Sequence, residues 1–400
     1  MMDSTIKFSK IPVMNTAKLA AYMFFAIGLV MGLIIGLPML LINLGLALAY
    51  IILFPIAMVI VGAVFGALYA FGTNYGFKYA NGLPVDVSYQ SGQQVVIKKL
   101  YAIKYGIVTA FQWLSIIIIP LVLISLITMI ANIGAGIMLL VIGLIGTVVV
   151  GFIFGIINAF GINVGLGFAK GYPVNLETTQ NKSVLKSVDV TKTGIVLAAS
   201  YLIFGILLAL IMLLFYGMFA GMIDTFLGAA MSTSSLSSDA TTAIAIIGIV
   251  EMLKSVLLIG AIILPIALAI LGFISGLLIA YGVNLGFGKE GYPIGLTVSS
   301  AKLTVNSVET KSTAKLFAFY YLFAGLFGAV LASIVVMMAN AGAGILNLLI
   351  TLVLDVIIGL VMGFALKKGL DAIQGGYVIE GENLNFLLAA GTEKKAKSKA

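Results

Sequence analysis

Long apolar runs dominate the pattern of the chain. Eight of them lie near residues 19–42, 46–72, 106–131, 137–161, 194–220, 255–281, 314–338 and 345–367. Each has the roughly 20 residues that a helix needs to cross the hydrocarbon of a bilayer. The pattern therefore predicts an all-α polytopic membrane protein with eight transmembrane helices.

Short segments on either side of these runs alternate apolar and polar residues, which is the period of a β-strand. Four precede a first helix, at residues 5–8, 95–98, 184–188 and 303–308, and four follow a second helix, at residues 84–89, 173–177, 293–298 and 376–380. We expect these linkers to form a small cytoplasmic β layer, with the N-terminal strand near the fourth repeat.

The chain repeats itself. FGTNYGFKYANGLPV, FGINVGLGFAKGYPV and YGVNLGFGKEGYPI begin at Phe71, Phe160 and Tyr281, and each belongs to a pattern G-x3-G-x5-G-x-N-x-G. A degenerate fourth copy places Asp355 at the first glycine and Lys367 at the asparagine. This self-similarity predicts four tandem two-helix repeats.

The repeats span residues 1–94, 95–182, 183–300 and 301–400. The third carries a long outer loop at 221–242, and the fourth ends in a basic tail at 393–400. An even number of spans makes all repeats point the same way. Parallel repeats differ from the inverted repeats of many secondary transporters.

Lysines set the expected orientation. All except Lys254 lie in the N-terminal segment, the linkers between repeats or the C-terminal tail. By the positive-inside rule these segments are cytoplasmic. We therefore expect a multi-pass protein of the plasma membrane with both termini in the cytoplasm.

Composition narrows the chemistry. The chain is 62% hydrophobic and 9% charged, and it has no cysteine and no histidine. Disulfides, thiol chemistry, most metal sites and the usual near-neutral acid or base are thereby excluded. We therefore expect that the chain is not an enzyme and binds no cofactor or metal. We interpret its net charge of +8 as a signal that orients it in the membrane, not as a sign of nucleic-acid binding.

The segment TAKL occurs at residues 16–19 and 313–316, the second helices are rich in glycine, and GGYVIE stands at residues 375–380. In these features the repeats resemble a family of small, uncharacterised prokaryotic membrane proteins with two helices. The resemblance implies a two-helix membrane module in each repeat and brings no activity, ligand or catalytic residue with it.

Glycines spaced four apart are the first candidate feature. They put small residues on one helix face, which lets a neighbouring backbone approach closely where lipid gives no hydrophobic drive. A pathway lined by these faces is the alternative. The candidates are Gly62, Gly66, Gly151, Gly155, Gly272, Gly276 and Gly359.

Polar residues inside or at the ends of the spans are the second candidate feature. Asn74, Asn163 and Asn284 either end their helices or form a polar ring. Asp355 is the one ionisable residue near the middle of a span, which makes it a candidate for transport. Bonding to Gln112 or Ser200 is the structural alternative.

These observations favour a non-enzymatic membrane scaffold or an accessory subunit of a larger assembly. Its expected partners are membrane lipids and either another protein or further copies of the chain, with no nucleic acid. The alternative is a channel or transporter with a pathway along the pseudo-fourfold axis.

Overall fold

The computed structural model describes residues 3–90, 94–179, 182–232 and 240–387. Within them lie eight helices that are long and apolar enough to cross a membrane, as in a multi-pass membrane protein. They are α1 Val13–Met39, α2 Leu44–Ala80, α3 Ala102–Ala131, α4 Ile133–Phe168, α5 Val190–Ser232, α6 Ala240–Phe287, α7 Thr310–Ala339 and α8 Ala341–Asp371. Helix α2 includes one π-helical turn, Ala49–Leu53.

Most helices run beyond the apolar run that predicts them, because polar caps and linker residues continue the helical geometry. The first helix begins earlier than predicted and ends at Met39, before the predicted end at residue 42, because a turn leads there to the Asn43 cap. Asparagine closes three of the tight turns between paired helices. Its side chain accepts a hydrogen bond from the backbone N–H three residues on, at Asn43, Asn132 and Asn340. An N-cap of this kind satisfies one of the donors that a helix start leaves open.

The segment at 221–242, where we expect a long loop, is helical over most of its length. Helix α5 continues to Ser232 and α6 begins at Ala240. The apolar residues interspersed among its serines and threonines allow this continuation. Residues 233–239 and the basic tail at 393–400 lie outside the described residues.

Strands occupy the segments whose alternation predicts them. They are β1 Asp3–Lys10, β2 Leu83–Gln90, β3 Gln94–Leu100, β4 Tyr172–Thr179, β5 Lys182–Leu185, β6 Tyr292–Val298, β7 Lys302–Val308 and β8 Tyr377–Glu382. The order strand, helix, helix, strand therefore occurs four times along the described chain. We call these four segments units 1 to 4.

The strands form a closed antiparallel barrel, not an open layer. Within each unit the two strands that flank the helical hairpin pair with each other, and neighbouring units are joined by strand hairpins. Strand β1 pairs with β8, with Lys7 opposite Glu382 and Lys10 opposite Glu380. Closure leaves no sheet edge open to another chain.

Apolar side chains fill the inside of the barrel. Ile6, Val85, Val87 and Val95 are buried together. A 3₁₀ helix, Leu384–Leu387, follows β8 and packs Phe386 and Leu387 against this cluster. This part of the barrel therefore has a packed apolar core.

The helices form a closed ring. Each packs against the next in the chain, and α8 packs against α1. Glycines on the second helix of a unit face both neighbours: a Cβ at Gly62 would lie 2.7 Å from the carbonyl oxygen of Ala20 in its own unit, and one at Gly76 would lie 2.6 Å from Val108 Cα in the next. The same division holds at Gly155 and Gly165.

Unit 4 departs from the sequence alignment by one helical turn. A Cβ at Gly363 would lie 2.6 Å from Ala314 Cα, and the corresponding contact of Gly66 is to Ala17 Cα, at 3.0 Å. Gly359 and Gly363 thus take the places of Gly62 and Gly66. Asp355 lies one turn farther from the barrel, because packing against α7 and not the spacing to Lys367 sets the register.

We predict that Gly62→Leu destabilises the ring. The Cβ of the new side chain would already lie 2.5 Å from the Cβ of Phe24. Overpacking of this kind lowers the free energy of unfolding by about 1–3 kcal/mol or more. Thermal unfolding of the detergent-purified chain measures the effect. The matched control is Gly146→Leu, since no neighbouring atom lies within 4 Å of a Cβ there. Equal melting temperatures for the two variants would contradict the packing role.

Candidate functional site

Three asparagines tie the ring to the barrel. The Asn74 side chain accepts a hydrogen bond from the Ile11 N–H (2.8 Å) and donates one to the Ile11 carbonyl oxygen (2.9 Å). Ile11 lies between β1 and α1, where neither a strand nor a helix ladder supplies partners. The amide thus replaces a peptide group at a place where the backbone would otherwise lack hydrogen bonds.

The same pair of bonds recurs in units 2 and 3. Asn163 binds both backbone groups of Leu100 at 2.7 Å, and Asn284 binds both groups of Val188 at 2.8 Å. Each asparagine uses its side-chain oxygen and nitrogen within its own unit. These side chains therefore hold strand-to-helix junctions, each with its amide bonded to the backbone of its own unit.

Unit 4 lacks this clamp. Lys367 aligns with the asparagines in sequence, but the one-turn shift puts Asp371 in their place, and the two side chains form an ion pair along α8. The pair lies along a single helix face, as expected for residues four apart. The junction of unit 4 therefore depends on strand pairing and on neighbouring apolar packing.

Tyrosine and threonine join adjacent units at three seams. The hydroxyl of Tyr172 bonds Thr193 at 2.8 Å, that of Tyr292 bonds Thr313 at 2.9 Å, and that of Tyr377 bonds Thr16 at 2.8 Å. Each tyrosine opens or precedes a barrel strand and each threonine lies in the first turn of the next unit's helix.

Burial raises the pKa of all three strand tyrosines, Tyr172, Tyr292 and Tyr377, while the bond to threonine lowers it in part. A raised pKa means that the folded chain binds the phenolic proton more tightly than the unfolded chain does. Stability from this source is complete at neutral pH and falls only above the ordinary tyrosine value of about 10. The three hydroxyls are therefore hydrogen-bond donors at neutral pH.

The fourth seam, between units 1 and 2, is different. Leu83 stands where the other strands carry tyrosine, and Tyr105 stands where the other helices carry threonine. Leucine offers no hydroxyl, so the Tyr105 phenol has no hydrogen bond within the described residues. A cavity lies beside this seam and extends to Tyr377 of the seam between units 4 and 1.

This cavity has a volume of about 370 Å³ and lies between the barrel and the ring. Phe8, Leu83 and Ile379 close it on the barrel side, and Tyr69, Tyr105, Tyr377, Thr73, Thr109 and Gln112 give it polar groups. Its size falls within the usual range of small-molecule sites. Among the described residues no charged side chain lines it, so it suits a neutral molecule with hydrogen-bonding groups.

Asp355 lies in the contact between α7 and α8. Its carboxyl group occupies the space that Gly325 leaves free, with Cγ 2.8 Å from where a Cβ of Gly325 would be. One carboxyl oxygen is buried and makes no hydrogen bond within the described part of the chain. Gln112 donates to Thr73 and Ser200 to the Val196 carbonyl, so neither expected partner reaches Asp355.

A polar stripe leads along α8 toward Asp355. Asn347, Thr351 and Asp355 are four residues apart, which puts them on one face. Asn347 donates a 3.0 Å hydrogen bond to Ser333 of α7, which is 1% exposed. The stripe extends from the end of α8 far from the barrel to the level of the carboxylate.

Other charged residues form local pairs. Lys254 donates to Glu251 at 2.8 Å, one turn away on α6, as their spacing predicts. Among the residues that the structure describes, no group of three or more acidic side chains could hold a metal ion.

Sequence reasoning did not identify the seam bonds or the cavity. The sequence did carry a signal for the seams. A Gly-Tyr pair precedes or opens three of the strands, and a threonine lies five residues after the residue that joins strand to helix in units 1, 3 and 4. The departure at Leu83 and Tyr105 could have been found by the same comparison. The cavity could not, since it depends on the relative positions of α2, α3 and β8.

Comparison with models of protein families, with curated proteins and with solved structures finds no match to this chain.

We predict that Asn163→Leu loosens the junction of unit 2. Loss of the amide leaves two backbone groups of Leu100 without partners, at a cost of about 1–3 kcal/mol for each buried group. Hydrogen exchange at the Leu100 amide should accelerate together with a lower melting temperature. Asn132→Ala serves as control, because that asparagine caps the far end of the hairpin. Unchanged exchange at Leu100 in Asn163→Leu would contradict the clamp.

Proposed function

We propose that the eight helices span the plasma membrane as four parallel repeats, with the barrel and both termini on the cytoplasmic side. The apolar length of the helices supports insertion. Strands flank every helical hairpin, so all eight strands of the barrel lie at one end of the ring. The lysine-rich linkers at that end favour the cytoplasm.

Cysteine scanning tests this orientation, since the chain has no cysteine of its own. Ala131→Cys lies exposed at the far end of α3, and Ser299→Cys lies exposed in the barrel hairpin. A maleimide that cannot cross membranes should label the first in intact cells and the second only after lysis. The opposite labelling would invert the topology.

We further propose that the chain is a non-enzymatic scaffold or accessory subunit of a larger membrane assembly. The observation that carries this proposal is that the polar groups of the repeated motif serve the fold. The three asparagines hold junctions, the glycines admit neighbouring helices, and the barrel core is apolar. A rigid ring with a folded cytoplasmic barrel is suited to holding partners in position.

A channel or transporter is the second candidate. Two observations favour it: the polar cavity between barrel and ring, and the buried carboxyl oxygen of Asp355 at the end of a polar stripe. In that case Asp355 would accept a proton or a cation in mid-membrane, where an ionised group has few other roles. The packed barrel core would then have to open for passage.

Flux separates the two candidates. As a scaffold, the purified chain in liposomes should pass protons and potassium no faster than protein-free liposomes do. As a channel or transporter it should raise the flux, and Asp355→Asn should lower it at least tenfold. Asn347→Ala is the control, because it shortens the stripe without removing the carboxyl group.

Affinity purification in mild detergent tests the scaffold directly. We expect a partner in fixed stoichiometry that survives Asp355→Asn. Recovery of the chain alone, together with measurable flux, would contradict the scaffold and favour transport.

A further inference from the structure

A groove of about 570 Å³ runs between α7 and α8. Small residues make its floor, where Ala314 and Ala318 of α7 approach Gly363 and Gly359 of α8. A Cβ added to either glycine would lie 2.6 Å from the Cα of the facing alanine. Its walls are Phe319 and Leu322 on one side and Val356, Leu360 and Phe364 on the other. The groove is almost wholly apolar along the helices.

The groove lies on an exposed face of α7 and α8. Another face of α8 carries Met362 and Ala365, which pack with Ala26 of α1. Phe364 and Leu360 are 49% and 37% exposed, so no protein element of the described chain covers them. In the membrane proposed above, this face meets lipid chains.

Two lysines stand at the barrel end of the groove. Lys311 and Lys315 are both exposed, lie four residues apart on one face of α7, and form no ion pair within the described residues. Lys315 Nζ also lies 3.2 Å from where a Cβ of Gly288 would be, just past the end of α6. The charges are thus at the level where the apolar spans end.

Unit 4 alone has this pair. The corresponding positions are Met14 and Lys18 in unit 1, Ile103 and Ile107 in unit 2, and Thr191 and Ile195 in unit 3. Two neighbouring ammonium groups above an apolar groove complement a molecule with an anionic head and an apolar chain. Basic residues at the cytoplasmic surface attract anionic lipid in this way.

We propose that the groove between α7 and α8 is a binding site for one anionic phospholipid, with its phosphate at Lys311 and Lys315 and one acyl chain along Ala314, Ala318 and Leu360. The site rests on membrane insertion and is independent of whether the chain acts as a scaffold or a channel. A free phosphate would engage the lysines alone, whereas the lipid needs both the charges and the groove.

Native mass spectrometry of the delipidated full chain tests the site, with phosphatidylglycerol as the probe. The wild type should retain one tightly bound phosphatidylglycerol. Lys311→Gln with Lys315→Gln should weaken that binding about 30-fold, from about fivefold for each lysine. Lys98→Gln with Lys99→Gln, an exposed pair in β3, removes the same charge and should leave binding unchanged.

Leu360→Trp gives a second, independent variant. The tryptophan side chain fills the groove and leaves both lysines in place, so it should weaken the binding of phosphatidylglycerol to a similar extent. Equal affinity for phosphatidylcholine, competition by inorganic phosphate at the same strength, or full binding by the Gln variants would overturn the proposal. Recovery of the chain in phosphatidylcholine vesicles before titration shows insertion separately, so a failure of insertion is distinguished from a failure of the site.

Discussion

Close approach of helix backbones at glycine is the constraint on which the rest of this structure depends. Each second helix must contact a partner on both sides, and a side chain larger than hydrogen would separate the axes at either contact. With both contacts short, the eight helices can close into a ring. The strands are carried to one end of that ring and meet as a barrel, because every hairpin delivers two of them there.

The asparagine clamp then couples the two layers. A barrel of hydrogen-bonded strands and a ring of helices have different spacings, so the chain between them cannot continue either ladder. In each of units 1, 2 and 3, one asparagine side chain supplies both of the hydrogen bonds that the strand-to-helix junction lacks. Because asparagine is uncharged, it also fits an apolar neighbourhood, where an ionised side chain would need a partner of its own.

Much of this fold could be predicted from local pattern. Apolar length predicted the helices, and alternation predicted the strands. That the four strand–helix–helix–strand segments are copies of one module stays a prediction. The sequence predicted that the N-terminal strand lies near the fourth repeat, and β1 does pair with β8, with the paired residues at least 370 positions apart along the chain. Closure into a complete barrel could not be predicted, because it depends on the angle accumulated over all units. The register of unit 4 was also inaccessible, since Gly359 and Gly363 fit the glycine pattern as well as Asp355 and Gly359 do until their contacts with α7 are known. Asp355 illustrates the limit. The sequence predicted its position near the middle of an apolar run, but not that its carboxyl group lies against Gly325.

Three of the four seams between units are continuous polypeptide. The seam between units 4 and 1 has no covalent link and is held by the β8–β1 ladder, the packing of α8 against α1, the Tyr377–Thr16 bond and the ion pairs Lys7–Glu382 and Lys10–Glu380. The chain is thus a circle cut at one point. New termini placed in any strand hairpin, with the natural ends joined, would leave the same architecture, and the cut marks the place where the ring can open without stretching a covalent link. Any breathing of the assembly would begin at that seam, between the first unit and the one whose helices carry Asp355.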